Sequence, residues 1–185
     1  MTPHPKTIRR QGRRSAGGFT LIELLIVVAI VGILASISMA VYRHARVRGA
    51  EVAVIAALTA INQAQFAFAQ ACGNQRYAPT LVSLGMVMPS TGHAFLSPDL
   101  TVSDPLVQGG YQYVMTGTEG TDSGLTCTQQ TPLASYQITA DPIRPGLSGT
   151  RWYATNTDRV VFEDTVSFVG NMPETGDPSH GTQIK

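Results

Sequence analysis

Glu23 is the only charged residue between Gly18 and Arg43, in a stretch that is otherwise almost wholly apolar. An ionised carboxylate in a membrane-depth segment is costly without a partner, so Glu23 calls for a cation. Two small residues, Gly17 and Gly18, stand just before Phe19. Glycine lets a protease approach the backbone closely. A cut between Gly18 and Phe19 would free an α-amino group four residues before Glu23. That group could reach the Glu23 carboxylate in a helix, or the carboxylate of a neighbouring chain. The chemistry these residues predict is a proteolytic trimming that creates its own ion-pair partner.

The other reactive side chains are sparse. Cys72 and Cys127 are the two cysteines. In a cytosolic chain they would be unrelated buried thiols, whereas in an exported chain a disulfide is expected. It would close a long loop, adding roughly 3–4 kcal/mol. His4, His44, His93 and His180 are scattered and show no metal-ligand spacing such as H-x-x-E-H. No G-x-S-x-G elbow or phosphate loop is present. Glu119, Asp122, Asp158 and Asp164 lie in or beside turns that calcium could use, and solvated turns are the expected reading. The sequence therefore predicts no catalytic residue, no metal and no cofactor, and a protein that is not an enzyme.

The elements that must position Glu23 are legible. Leu24 to Tyr42 is a charge-free run of 19 residues, which as a helix spans roughly 28 Å, close to the hydrocarbon thickness of a bilayer. Hydrophobic residues make up 43 % and charged residues 14 % of the chain, apolar for a soluble domain but ordinary for an anchored one. Lys6, Arg9, Arg10, Arg13 and Arg14 precede Gly18, where there is no acidic residue. The remainder carries 8 basic against 12 acidic groups, a formal charge of −4. Nothing in this distribution suggests a general nucleic-acid binder, which needs clustered cations, and nucleic acid stays open as a partner. The basic bias ahead of the apolar run predicts a cytoplasmic N-terminus and an exported remainder. An ordinary secretory signal would be cut after the run, near Ser38-Met39-Ala40, but the run is longer than such signals carry. Neither arginine pair leads promptly into apolar residues, as a twin-arginine signal would.

Gly18-Phe19-Thr20-Leu21-Ile22-Glu23 resembles the processing motif of type IV prepilins and of the pseudopilins of type II secretion systems. Val31–Ala35 and Ala60–Gln65 are similar to helix segments of many pilins, and Tyr136–Ala140 and Gly149–Tyr153 to strands of bacterial pilin heads. The resemblance implies that prepilin peptidase removes residues 1–18, that Phe19 becomes the N-methylated first residue, and that Glu23 guides assembly. It also implies as partners related or identical subunits in a helical filament, and an inner-membrane assembly platform with its ATPase. The implied location is the bacterial inner membrane before assembly, then a periplasmic or cell-surface filament. Such a filament could serve adhesion, twitching motility or DNA uptake; the alternative is a type II secretion pseudopilin. Many relatives have proline where this chain has Ala40, so a straighter helix is expected here.

After Arg43, Arg46 and Arg48, helical periodicity continues. Val47, Val54, Ile61 and Phe68 recur every seven residues with Ala50, Ala57, Ala64 and Ala71 between them, a stripe that must bury one face. Glu51, Thr59, Asn62 and Gln70 are expected to supply polarity elsewhere. A helix over 19–71, with 24–42 membrane-spanning, would be roughly 80 Å long and end near Cys72-Gly73-Asn74. The head is expected over 72–185. A Pro/Gly/Ser/Thr-rich connecting loop fills 73–109, with a helical turn near Thr80–Leu84. An antiparallel sheet fills 110–170, with strands at Tyr111–Met115, Ser135–Ala140, Arg151–Thr155 and Arg159–Phe162. Asn156-Thr157-Asp158 makes a turn, Val166–Val169 an edge strand, and 171–185 a polar, mobile tail. Half of Tyr111, Tyr113, Tyr136, Trp152 and Tyr153 should be core, by alternation. The predicted fold class is α+β, one long N-terminal helix packed on a small antiparallel sheet.

Overall fold

A computed structural model describes residues 18–88, 91–121 and 124–184. The expected leader, Gly18 apart, lies outside the described residues. The chain divides into two units, which part between Val41 and Tyr42.

Helix α1 covers Leu21–Ala71, 51 residues, and runs unbroken past position 40, where no proline removes a backbone donor. Thr20 precedes it and accepts a hydrogen bond from the Glu23 amide at 3.3 Å, satisfying one of the donors a helix start leaves orphaned. Every residue from Leu21 to Ile37 is exposed. In the second unit the same helix is amphipathic in fact. Val54, Leu58, Ile61, Ala64 and Phe68 are buried in one cluster with residues of the sheet. The helix ends at Ala71, and the amides of Cys72 and Gly73 both reach the Phe68 carbonyl at 2.8 Å. Gly73 is needed for closeness rather than for an unusual φ, since a Cβ there would lie 2.0 Å from the Arg76 carbonyl oxygen. The left-handed positions are Asn74 and Gln75.

The segment after the helix is less of a loop than its composition suggests. It holds α2 (Leu81–Leu84), capped by the Thr80 hydroxyl, a 3-10 turn at Pro98–Leu100, and the first strand. The sheet is a six-stranded antiparallel meander in chain order. Its strands are β1 (Leu106–Gln108), β2 (Tyr111–Glu119), β3 (Leu133–Pro142), β4 (Trp152–Asn156), β5 (Val161–Asp164) and β6 (Thr182–Gln183). In the longest pairing, β2 with β3, Tyr113 stands opposite Ala140 and Met115 opposite Ile138. Period-two alternation then puts Tyr111, Tyr113, Met115, Tyr136, Ile138, Tyr153 and Val161 into the helix-facing core. The opposite face has its own smaller core of Ala154, Phe162, Phe168 and Met172.

Four sequence expectations are corrected. All four strand tyrosines are buried, because each occupies an inward register position, and only Trp152 is turned the other way. Glu51 and Asn62 are buried too, with partners described below. Val166–Val169 is not a strand; the edge strand is β6, within the expected tail. The tail itself is docked, because Met172 fills the second core and Glu174 accepts hydrogen bonds from the Thr118 amide and hydroxyl at 3.1 and 3.0 Å and from the Ser135 hydroxyl.

Candidate functional site

Gly18, Phe19 and Thr20 form a short non-helical lead into α1. Among the described residues, none comes within 4 Å of a Cβ placed on Gly18, and the Phe19 side chain is 76 % exposed. A peptide bond outside a helix, with no described residue packed on Gly18 from elsewhere in the fold, is one a protease can draw into extended form. Glu23 is exposed on the first turn of α1. Its carboxylate receives a long 3.5 Å hydrogen bond from the Thr20 hydroxyl. Thr20 and Glu23 thus stand at capping-box spacing, a signal readable in the sequence that the functional reading of Glu23 had overlooked. Among the described residues no basic group pairs with Glu23.

The helix that carries this carboxylate has the character of a membrane span: long, apolar, and with no part of its apolar window buried within the chain. Exposed leucine, isoleucine and valine on all sides of a helix require lipid or other helices around them. Ser36 turns its hydroxyl back to the Ile33 carbonyl at 2.7 Å, which satisfies the donor within the helix itself, as a bilayer would require.

The chain carries the prokaryotic N-terminal methylation motif, over residues 13–39. The motif is the prepilin-cleavage signature of type IV pilins and pseudopilins, and it supports a protein of that class. With it come the implications of processing by prepilin peptidase and assembly with other pilin subunits. The long helix packed on an antiparallel sheet is pilin-like in architecture. No curated protein and no solved structure gives a match to the chain.

The methylation motif ends before the packed half of α1, so the head is described by its own geometry. Cys72 and Cys127 are disulfide-bonded, with Cα atoms 4.8 Å apart, and the Cys127 amide also donates to the Cys72 carbonyl at 2.9 Å. The bond ties the end of α1 to the β2–β3 loop. Buried polar groups link helix to sheet. Asn62 donates to the Thr155 hydroxyl at 2.8 Å and accepts from the Tyr136 hydroxyl at 3.0 Å. Gln65 exchanges two hydrogen bonds with the backbone of Ala78. Burial pushes the Tyr136 phenol well above its ordinary range, so it stays a neutral donor. These contacts were missed in sequence because Glu51, Asn62 and Gln65 look like solvent-facing helix residues. Only the partners' positions reveal otherwise.

The remaining candidates are dispersed. His44 and His93 are exposed, while His180 Nδ1 lies 2.7 Å from Asp164 and its ring stacks on Phe168. Asp158 accepts from the Gly176 amide. Asp122 lies outside the described residues. Among the described residues no three His, Cys, Asp or Glu side chains gather in a way that could hold a metal.

Proposed function

We propose that this chain is a structural subunit of a type IV pilus-like filament, not an enzyme, anchored in the bacterial inner membrane until it is assembled. In this reading prepilin peptidase cuts between Gly18 and Phe19 and the new N-terminus is methylated on Phe19. The α-amino group then meets a Glu23 carboxylate, its own or a neighbour's. An assembly platform and its ATPase draw the subunit from the bilayer into a bundle of N-terminal helices. Exchanging lipid for other helices changes little apolar burial, so specificity falls to packing and to the Glu23 ion pair. Gly32, Ala35 and Ser36 are small enough for close helix approach.

The observation that carries this reading is Glu23. Among the described residues it is a carboxylate with no cation beside it, on the apolar and exposed first part of α1, shortly after the Gly18–Phe19 bond. The test is the mass of the N-terminal peptide of the protein isolated from its native host. A peptide beginning at N-methylated Phe19 is the expected result, and a start near Val41 would overturn the reading. Surface fibres that label for this subunit in electron micrographs are expected. Short periplasmic filaments in their place would make it a secretion pseudopilin.

A further inference from the structure

A cleft of about 260 Å³ opens beside the first turns of the packed part of α1. Arg46 of α1 lines one side and Arg144 of the β3–β4 loop the other, with Gly109 and Gly110 of the β1–β2 turn and Ser148 between them and Leu147 at the edge. Neither guanidinium has an ion-pair or side-chain hydrogen-bond partner among the described residues, whereas Arg48 is engaged by Glu51 and Arg151 by Glu163. The nearest carboxylate on the helix, Glu51, is fully occupied by Arg48 and Thr150. Among the described residues, the two positive charges of the cleft are therefore uncompensated.

The loop is built to keep them there. The Arg144 amide donates to Ser148 Oγ at 3.0 Å, and the amides of Leu147 and Ser148 return to the Arg144 carbonyl at 3.0 and 2.9 Å. Gly110, at φ +85°, lets the β1–β2 turn press against this loop, since a Cβ there would lie 2.8 Å from Ser148 Cβ. The same loop leaves Ile143 49 % and Leu147 67 % exposed. Free anions have no use for exposed leucine and isoleucine beside the arginines, but a lipid surface does. Arg46 follows Tyr42, the last residue of the charge-free run, by one turn of the same helix. By count along the sequence, Arg46 therefore falls just past the end of the expected span, where headgroups would begin. Arginine forks suit phosphate oxygens, and clustered basic residues next to a span are attracted to anionic lipid.

We propose that this cleft binds the headgroup phosphate of an anionic phospholipid, with Leu147 and Ile143 dipping into the interface beside it. The proposal rests on the membrane-anchored reading, and the experiment separates the two. Full-length wild-type protein and the R46Q/R144Q variant are first floated with phosphatidylcholine vesicles. Both should float through α1, and failure of both would remove the anchoring and the cleft proposal together. Native mass spectrometry from detergent micelles then compares retention of phosphatidylglycerol with that of phosphatidylcholine. Wild type is expected to keep one phosphatidylglycerol in preference, and R46Q/R144Q to lose the preference by roughly tenfold or more. Leu147→Ser, an exposed change that spares both charges, should weaken retention without abolishing it. Equal retention by wild type and R46Q/R144Q would overturn the proposal while leaving the anchor intact. So would displacement of the lipid by inorganic phosphate at comparable concentration, which would mark a site for free anions.

Discussion

Thr150 closes on Glu51 from across the fold: its hydroxyl donates to Oε1 at 2.6 Å and its amide to the same oxygen at 2.9 Å. The two residues are 99 positions apart in sequence, and the contact pins the β3–β4 loop to the first buried turn of α1. Arg48 reaches the other carboxylate oxygen from the solvent side at 3.3 Å. A buried carboxylate so bonded is a locating device, because each donor left without it would be orphaned.

Removing the acceptor should be costly for that reason. Glu51→Ala is expected to lower stability by about 2 kcal/mol, the typical penalty for stranding buried donors. Denaturant titration of the full-length protein in mild detergent reads this directly. A loss near zero would mean that water replaces the carboxylate and that the loop is not pinned.

Reduction of the Cys72–Cys127 bond should destabilise the head. Its 55-residue separation corresponds to about 4 kcal/mol in the loop-entropy account. The double variant Cys72→Ser, Cys127→Ser is expected to melt well below the oxidised protein and at the same temperature as the reduced one. Coincident melting of all three forms would show that the neighbouring backbone bond suffices.

Acid should release the tail before the sheet. Burial tends to raise the Glu174 carboxyl, but the hydrogen bonds from Ser135 and Thr118 outweigh it and hold the group below its usual range. Asp164 is likewise lowered, chiefly by its hydrogen bond with His180 and then by the Thr165 amide. A carboxyl lowered in the folded state stabilises above its unfolded pKa of about 4 and loses that contribution as pH falls through the folded value. Asp104 and Asp141, both raised chiefly by burial, act in the opposite sense, so the measurement must be local. Hydrogen exchange corrected for pH should show protection at 172–178 falling in acid while β2 and β3 hold. Uniform behaviour across both would count against the assignment.

Glu23→Ala is expected to leave cleavage after Gly18 largely intact and to suppress filament formation. Mass spectrometry of the N-terminus and electron microscopy of a complemented deletion strain read the two effects separately. Normal filament yield would remove the proposed ion pair from the assembly mechanism.

The parts of this molecule legible in sequence are those governed by short-range pattern. The uncharged run after Glu23, the seven-residue recurrence of Val54, Ile61 and Phe68, and the alternating aromatics of β2 each encode an element through its own periodicity. The strand centres and the turn after Asn156 follow from the same local chemistry, and strand ends were misjudged by a few residues. Burial of Glu51 and Asn62 could not be foreseen, since it depends on Thr150, Thr155 and Tyr136, far away in the chain. The tail was misjudged for a related reason: its composition is polar, and only Met172, Glu174 and the pairing of Thr182 with Glu163 reveal a docked segment. The cleft between Arg46 and Arg144 likewise exists only once the β3–β4 loop has been brought beside the helix.

The meander's outermost strands are its shortest, three residues in β1 and two in β6. Edge strands offer unpaired amides and carbonyls to any neighbour, and stunted ones offer few. In the filament proposed for this chain, where heads would be held close together, this matters more than it would for a dilute monomer. Sheets brought side by side have little ladder to extend, so in the proposed assembly contacts between subunits fall to the helices and not to the sheet edges.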